Sequence, residues 1–230
     1  MTNEKLLKNK EENKNYLQKI CNLKVNSKIP LVGIISRLAE QKGFDLIIET
    51  FEKLMKLNLQ FVLLGAGDLE IEKKLTELSL KYLDKFSCNF KFDAKLAQQI
   101  YAGSDIFLMP SHFEPCGLGQ LIAMRYGTTS IVRKTGGLTD TVESYNPPAG
   151  GYKTGIGFVF EKYEAKEMLN SIKEALKIYE NKKEWQKIIF HNMKQNFSWE
   201  TSAKKYLKLY QKLLKIQELR TINVHLANIS

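Results

Sequence analysis

Few residues of the kind that build covalent or metal-bound frameworks occur in this sequence. Its 230 residues include three cysteines, three histidines and five prolines. Cys21, Cys88 and Cys116 form no C-x-x-C pair, which argues against a zinc site and against a disulfide framework. Because free thiols are typical of a reducing compartment, we expect a cytoplasmic protein.

Long apolar runs are also missing. No stretch of about 18 apolar residues occurs, so the sequence predicts no transmembrane helix and no membrane partner. Residues 1–15 are polar and lysine-rich without an apolar centre, which excludes a secretory signal there. Repeats, low-complexity tracts and Pro-rich linkers are absent. With 43% hydrophobic residues, the chain is expected to form one large domain or at most two small ones.

Negative charge is in short supply. The 35 Lys and Arg residues outnumber the 25 Asp and Glu residues, which gives a net charge of +10. This balance suits phosphate-bearing partners such as nucleotides, nucleotide sugars or nucleic acid. Solvated lysine-rich helix faces produce the same excess. No Arg-rich or aromatic-interleaved patch occurs, so we expect no nucleic-acid partner.

Short apolar runs alternate with amphipathic stretches, which is the pattern of an α/β domain. Runs such as L-V-G-I-I-S lack polar alternation, as expected of central parallel strands that are covered on both faces. The predicted strands are Leu31 to Ser36, Gln60 to Leu64, Cys88 to Phe92, Ile106 to Met109, Thr129 to Val132 and Gly157 to Phe160. The predicted helices are Phe44 to Leu57, Leu69 to Lys81, Lys95 to Ala102, Leu118 to Tyr126, Ala165 to Tyr179, Lys182 to Gln195 and Glu200 to Lys215.

This order predicts a doubly wound, Rossmann-like parallel sheet with helices on both faces and a C-terminal helical extension. We assign residues 24–215 to this domain, residues 1–23 to a polar helix or interdomain connection that need not belong to the core, and residues 216–230 to a tail. Tyr145 to Gly157 is expected to form a mobile surface loop. In the last helix, Ser198 is the expected N-cap. A predicted packing stripe on that helix comprises Ala203, Tyr206, Leu207, Tyr210, Leu213 and Leu214.

Ligands of open α/β sheets bind beyond the carboxyl ends of the strands, so the loops at those ends are candidate sites. Four such loops are residues 36–43, 65–68, 110–120 and 133–142. In the first, Arg37 and Lys42 can point into one crevice beside a helix N-terminus, which suits a diphosphate; two solvated surface cations are an equal alternative. The second, G-A-G-D, is more typical of a tight turn with Asp68 as the helix cap.

The third loop is the densest group of polar and glycine residues. Glu114 lies just before a glycine-rich helix start, where the backbone N–H groups of Gly117, Leu118 and Gly119 are free to meet an anion. Because a carboxylate repels phosphate, we expect Glu114 to bind another part of the ligand, such as hydroxyls. The alternative is a first-turn charge that favours the helix dipole. Cys116 is interpreted as a small buried hydrophobe.

The fourth loop contains the pair Gly136-Gly137 before a helix start. Glycine permits close approach of the backbone to a ligand, so the pair is a candidate contact. The alternative is a plain turn, with Asp140 in the first turn of the helix.

The loops also form a recognisable series of motifs. The chain carries, in this order, S-R-L-A-E-Q-K-G-F-D-L, L-L-G-A-G-D, F-E-P-C-G-L-G-Q, R-K-T-G-G-L-T-D-T-V and F-S-W. This series resembles the C-terminal half of bacterial glycogen synthases and plant starch synthases over roughly residues 19–215. The resemblance implies one half of a GT-B glycosyltransferase. It also implies transfer of glucose from ADP-glucose to the non-reducing end of an α-1,4-glucan, with retention and without a cofactor or metal ion.

Roles for individual residues follow from the resemblance by position. Arg37 and Lys42 resemble the cations that hold the diphosphate and stabilise the leaving ADP. Glu114 resembles the carboxylate that binds hydroxyls of the donor glucose, and Phe92 takes the position of an aromatic that stacks on adenine. The resemblance places Cys116 and Gly117 beside the sugar and Leu118 and Gly119 beside the nucleotide.

The sequence departs from the family pattern in three respects. His112 stands where an Arg is common, and Lys91 stands where a small Gly is usual. No part of the chain matches the family's N-terminal half, which carries a K-x-G-G-L motif and the acceptor groove. We therefore expect this chain alone to bind the donor without transferring glucose. Two alternatives are another GT-B glycosyltransferase that uses UDP-glucose and a non-catalytic nucleotide- or glucan-binding module.

Overall fold

A parallel sheet forms the centre of the compact unit made by residues 1–195. The computed structural model describes residues 2–145 and 155–227, with side chains through residue 217. The strands in this part of the chain are β1 Leu31–Ile35, β2 Gln60–Leu64, β3 Phe86–Asn89, β4 Ile106–Met109, β5 Thr129–Arg133, β6 Val142–Ser144 and β7 Gly155–Phe160. They lie in the order β3-β2-β1-β4-β5-β7-β6, and every pairing is parallel.

Helices connect the strands and continue beyond the last one. The helices are α1 Asn3–Ile20, α2 Phe44–Met55, α3 Leu69–Lys81, α4 Ala94–Gly103, α5 Gly119–Arg125, α6 Gly136–Thr141, α7 Ala165–Glu180, α8 Lys182–Lys194 and α9 Trp199–Ala227. A short 3₁₀ turn, Glu40–Lys42, precedes α2. None of the helices in the described ranges is long and apolar enough to cross a membrane.

Strand β2 demonstrates that both faces of the sheet are covered. Phe61 and Leu63 belong to an apolar cluster with side chains of α2 and α7, whereas Val62 and Leu64 belong to a second cluster with side chains of α1 and α4. Successive side chains of a strand point to opposite faces, so helices pack on both sides. The predicted doubly wound, Rossmann-like α/β fold is confirmed. Its strand order reverses direction between β1 and β4, which is where such sheets bind ligands.

Helix α1 is packed into the core, which its polar sequence does not indicate. Leu17 is fully buried against Leu96 and Ile100. Burial of a leucine side chain contributes roughly 1.5–3 kcal/mol. The Lys14 ammonium lies 2.6 Å from the Asp105 carboxylate, just before β4, and both side chains are nearly inaccessible. The polar composition of the helix does not reveal these contacts, because Lys10 and Lys14 are buried against residues far away in the sequence.

Two strand boundaries differ from the prediction. Strand β3 covers Phe86–Asn89 rather than Cys88 to Phe92, because Phe86 is buried with its ring 4.6 Å from that of Phe51 and so anchors the strand earlier in the chain. Strand β7 begins at Gly155 and pairs with β6, a three-residue strand that the sequence did not predict. Of the loop predicted for Tyr145 to Gly157, residues 146–154 lie outside the described residues.

Residues 196–230 form a separate unit that contains α9. The Ser198 hydroxyl accepts a hydrogen bond from the Thr201 N–H at 3.4 Å, which agrees with its predicted role as N-cap. The helix continues through Ala227, beyond the predicted end at residue 215. The apolar stripe predicted for this helix is exposed rather than packed. Its large side chains are 53–60% exposed: Tyr206, Leu207, Tyr210, Leu213 and Leu214.

Candidate functional site

A cleft of about 230 Å³ lies at the carboxyl edge of the sheet, where β1 and β4 end. It is formed by two of the four predicted loops, residues 36–43 and 110–120, together with a few apolar side chains. Parallel strands bring their carboxyl ends to one edge, so the adjacency of β1 and β4 makes these loops neighbours. The predicted site residues that line the cleft are Arg37, Lys42, Glu114, Gly117, Leu118 and Gly119.

An ion pair joins the two loops inside the cleft. The Lys42 Nζ lies 2.7 Å from Glu114 Oε2, and the two side chains are 18% and 10% exposed. The Ser111 hydroxyl donates a second hydrogen bond to the same carboxylate oxygen at 3.2 Å. Glu114 therefore has a cation and a hydroxyl as fixed partners, rather than standing free as a first-turn helix charge.

Arg37 presents a second cation to the cleft. Its side chain is exposed, and its guanidinium makes no hydrogen bond or ion pair with the residues that the structure describes. The neighbouring backbone is fixed, because the Leu38 N–H donates to Ala66 O at 3.1 Å and the Leu38 carbonyl accepts from the Asp68 N–H at 2.8 Å. The G-A-G-D loop thus supports the Arg37 loop from outside the cleft.

Asp68 is a helix cap, as the sequence predicted. Its Oδ1 accepts hydrogen bonds from the backbone N–H groups of Glu70 at 2.9 Å and Ile71 at 3.0 Å, at the start of α3. These bonds satisfy donors that the helix itself leaves unpaired.

Two further cations at this edge are already engaged. Arg133 donates from Nε to the Ser111 carbonyl at 2.8 Å and from its terminal nitrogen to the His112 carbonyl. Lys134 pairs with Glu161. Arg133 therefore holds the loop that carries Glu114 instead of facing the cleft. The sequence did not single out this function, because a strand-end arginine gives no sign of which way its guanidinium turns.

The glycine pair of the fourth loop packs against the backbone of another loop and does not line the cleft. Gly136 has φ +46°, and a Cβ built on it would lie 2.1 Å from the Glu114 carbonyl oxygen. A Cβ on Gly137 would lie 2.4 Å from the Cys116 carbonyl oxygen. The glycine pair was predicted to allow close approach to a ligand. The close approach that the structure shows is instead to the backbone of residues 114–116, so this loop packs beneath the Glu114 loop.

The start of α5 faces the cleft. Leu118 precedes the helix and Gly119 begins it, and both line the cleft with Gly117. The first backbone N–H groups of a helix have no partner within it, so they are available to an anion. Cys116 is exposed and does not line the cleft, so its interpretation as a buried hydrophobe is wrong. Its backbone carbonyl lies against Gly137.

Phe92 lies three residues beyond β3, not at the end of the strand, and is 97% exposed. Beside it, Lys91 and Asp93 form an ion pair at 2.9 Å, and Asp93 also caps α4. Phe92 is not among the residues that line the cleft. Its ring is nevertheless at the carboxyl edge of the sheet, two strands from β1, and both of its faces are open.

Sequence reasoning did not identify several other residues of the cleft. Ser111 is the second residue after β4 and lies three residues before Glu114, a position that the sequence could have indicated. Tyr101 on α4 and Met109 at the end of β4 also line the cleft, and their apolar character resembles that of any core residue.

Cavity size alone does not identify the site. Cavities of about 440 and 240 Å³ lie at the opposite, amino edge, where Pro30 precedes β1 and Asp105 precedes β4. The cleft at the carboxyl edge is smaller than the first of these. It is the better candidate because a cation, a carboxylate and a helix start converge there beside the strand-order reversal.

Comparison with known proteins identifies the family. The family model for glycosyl transferases group 1 matches residues 17–191. The chain belongs to this family. Among curated glycosyl transferases, the glycogen synthases of Alkaliphilus metalliredigens and Clostridium novyi are 51% and 50% identical to it over 207 and 208 residues. These alignments cover 90% of this chain and 43% of each relative.

A solved glycosyl transferase has the same fold. The catalytic domain of starch synthase IV from Arabidopsis thaliana, bound to ADP and acarbose, superimposes with a TM-score of 0.78 at 37% identity. The match covers 88% of this chain and 42% of that one. The resemblance to glycogen and starch synthases is confirmed, and the chain spans less than half the length of the curated relatives it matches.

Proposed function

We propose that this chain is the nucleotide-sugar-binding half of a glycogen or starch synthase that uses ADP-glucose. The observation that carries the proposal is the convergence of Arg37, Lys42, Glu114 and the start of α5 on one cleft at the β1–β4 boundary. The starch synthase with the same fold is bound to ADP, which supports a nucleotide diphosphate as ligand.

The two cations, together with Leu118 and Gly119, are the proposed diphosphate site. Arg37 carries an uncompensated charge into the cleft, which Leu118 and Gly119 also line. In the proposed reaction, these groups and Lys42 stabilise the negative charge that grows on the ADP phosphates as the glycosidic bond breaks. This role is the one that a metal ion has in other transferases, so the proposal includes no metal or cofactor.

Glu114 is the proposed sugar ligand. One of its oxygens is shared by Lys42 and Ser111, which fixes the carboxylate and leaves its other oxygen to accept hydrogen bonds from glucose hydroxyls. Lys42 would then contact the phosphate on one side and the carboxylate on the other. Phe92, with both ring faces open, is proposed to stack on adenine.

The acceptor is proposed to be an α-1,4-glucan, bound with the participation of residues outside this chain, with retention at the transferred glucose. Acarbose in the related starch synthase is the observation that supports a glucan partner. On this proposal the chain alone binds ADP-glucose and transfers no glucose. A cytoplasmic location remains part of the proposal.

Titration calorimetry of the chain with ADP, ADP-glucose, UDP and UDP-glucose tests the function. We expect the two adenine ligands to bind more tightly than the two uracil ligands. Tighter binding of UDP and UDP-glucose would favour the alternative of another glycosyltransferase. Absence of heat and of thermal stabilisation with all four ligands at millimolar concentration would refute a nucleotide-sugar site.

Two variants locate the parts of the ligand. Phe92→Leu should lower the affinities for ADP and for ADP-glucose by the same factor, roughly tenfold, because base stacking contributes about 1–3 kcal/mol. Glu114→Gln should weaken ADP-glucose and leave ADP unchanged or slightly tighter, because only the sugar meets the carboxylate. Equal loss of both ligands in Glu114→Gln would mean that Glu114 supports the fold or the nucleotide rather than the sugar.

A further inference from the structure

Gln120 is fully buried in the first turn of α5, directly behind the loop of residues 114–117. Its Nε2 lies 3.0 Å from the Thr141 hydroxyl, 3.1 Å from the Gly117 carbonyl and 3.3 Å from the Cys116 carbonyl. An amide nitrogen carries two N–H donors, so these acceptors share them. The side chain thereby ties the end of the loop to helix α6.

The same helix holds the beginning of the loop. The Gly137 N–H donates to the carbonyls of Glu114 at 3.2 Å and Pro115 at 3.1 Å. The Thr141 hydroxyl donates to the Gly137 carbonyl at 2.9 Å while it accepts from Gln120. Hydrogen bonds therefore run from Gln120 through Thr141 and Gly137 back to Glu114. Together they fix the loop at both ends.

Stability alone does not explain an amide at this position. The Gln120 Oε1 is buried and has no hydrogen-bond partner among the described residues. A buried acceptor without a partner is destabilising, because it has lost its hydrogen bonds to water without replacement. An apolar side chain of the same shape, such as methionine, would avoid that penalty. What methionine cannot do is donate to the carbonyls of Cys116 and Gly117.

We propose that Gln120 is a positioning residue for the sugar part of the donor, acting through the loop of residues 114–117. This inference rests on the proposed function. By holding the carbonyls of Cys116 and Gly117, Gln120 sets the path of the chain between the Glu114 carboxylate and the amides at the start of α5. Arg37 and Phe92 lie on other loops, so their contacts with the nucleotide do not depend on Gln120.

The test is a pair of titrations, ADP and ADP-glucose, on the 230-residue chain and its Gln120→Met variant. We expect the affinity for ADP-glucose to fall about tenfold, equivalent to ~1.4 kcal/mol, with ADP changed by less than about threefold. Gln60→Met is the matched control. Gln60 is equally buried and bonded to Gln18, Lys24 and Asp84, but it lies at the amino edge of the sheet. It should lower the melting temperature and leave both affinities unchanged.

Thr141→Val removes the acceptor of Gln120 on α6 without changing α5, and it should weaken ADP-glucose binding selectively in the same way. This variant carries the test if Gln120→Met does not fold. Unchanged affinities in the variant, or equal losses for ADP and ADP-glucose, would overturn the positioning role alone. If the parent chain bound neither ligand, the proposed function would fall and this inference with it.

Discussion

The Nζ of Lys42 lies 2.7 Å from Oε2 of Glu114, so the cation proposed for phosphate is paired with the carboxylate proposed for sugar. The two residues are 72 positions apart in the chain. Without a ligand, their charges compensate each other within the cleft, and Arg37 supplies the uncompensated positive charge. Binding at either group must therefore depend on the other.

The first prediction is that Lys42 and Glu114 are energetically coupled in ADP binding. Lys42→Ala should lower the affinity for ADP by roughly 10- to 100-fold, because it removes a charge-assisted hydrogen bond and leaves Glu114 facing the phosphates. In the background of Glu114→Gln the same substitution should weaken ADP less, because that repulsion is gone. A double-mutant cycle by calorimetry measures the coupling. Strict additivity would contradict the proposed arrangement.

The second prediction concerns Arg37. Arg37→Ala should weaken ADP about tenfold or more at low salt, and the loss should shrink as salt rises, because this exposed charge is screened over roughly 8 Å at physiological ionic strength. Lys134→Ala is the control, since Lys134 is at the same edge but is paired with Glu161. Calorimetry at two salt concentrations provides the measurement. If both variants bound ADP equally well, Arg37 would not be a phosphate ligand.

The third prediction tests the place of helix α1 in the core. Lys14→Met leaves the Asp105 carboxylate buried without its cation, so the free energy of unfolding should fall by about 3–5 kcal/mol. Lys8→Met, on an exposed position of the same helix, should change it by no more than about 0.5 kcal/mol. Urea denaturation followed by circular dichroism compares the two. If both variants changed the free energy of unfolding by the same small amount, the Lys14–Asp105 pair would not anchor α1.

The fourth prediction is a pH dependence of stability from Lys10. Burial lowers the pKa of Lys10 to about 7, although Asp105 opposes this shift. Above that pH the folded state has released a proton that the unfolded chain retains, so the free energy of unfolding rises with pH. The parent should therefore gain up to ~1.4 kcal/mol per pH unit relative to Lys10→Met between about pH 7 and 8.5.

The window for Lys10 is closed at about pH 8.5 because the cysteines of the unfolded chain titrate around that pH. Burial raises the pKa of Cys21 to about 11, and this shift acts in the opposite direction at higher pH. Denaturant titrations of both proteins at three pH values in the window give the difference directly. Parallel stability profiles for parent and variant would mean that the Lys10 pKa is not lowered.

The sequence predicted the sheet and the edge that carries the site, for a simple physical reason. Buried parallel strands are continuous apolar runs, and their carboxyl ends share an edge, so Arg37 and Glu114 could be placed at the same edge from the order of elements. Helix α3 has the predicted ends, Leu69 and Lys81, because Asp68 gives a local N-cap signal. Such features depend on residues that are close together in the chain.

The features that sequence reasoning missed depend on long-range side-chain contacts. The direction of the Arg133 guanidinium, toward the carbonyls of Ser111 and His112, depends on where β4 lies relative to β5. The exposure of Cys116 depends on how its loop packs, and that packing involves Gly137, which is 21 residues later in the chain. The burial of Lys14 requires Asp105, which is 91 residues later. No local pattern contains this information.

The buried anchoring of α1 has a consequence for dissecting larger relatives into parts. An excised domain that begins at residue 24 would retain every strand and every residue of the cleft, yet it would lose Leu17 and Lys14. Asp105 would then be left without its cation directly below β4, the strand that leads to Glu114. Trimming at the amino edge would thus remove part of the support of the sheet itself, so α1 should be kept with the sheet in any domain exchange or circular permutation.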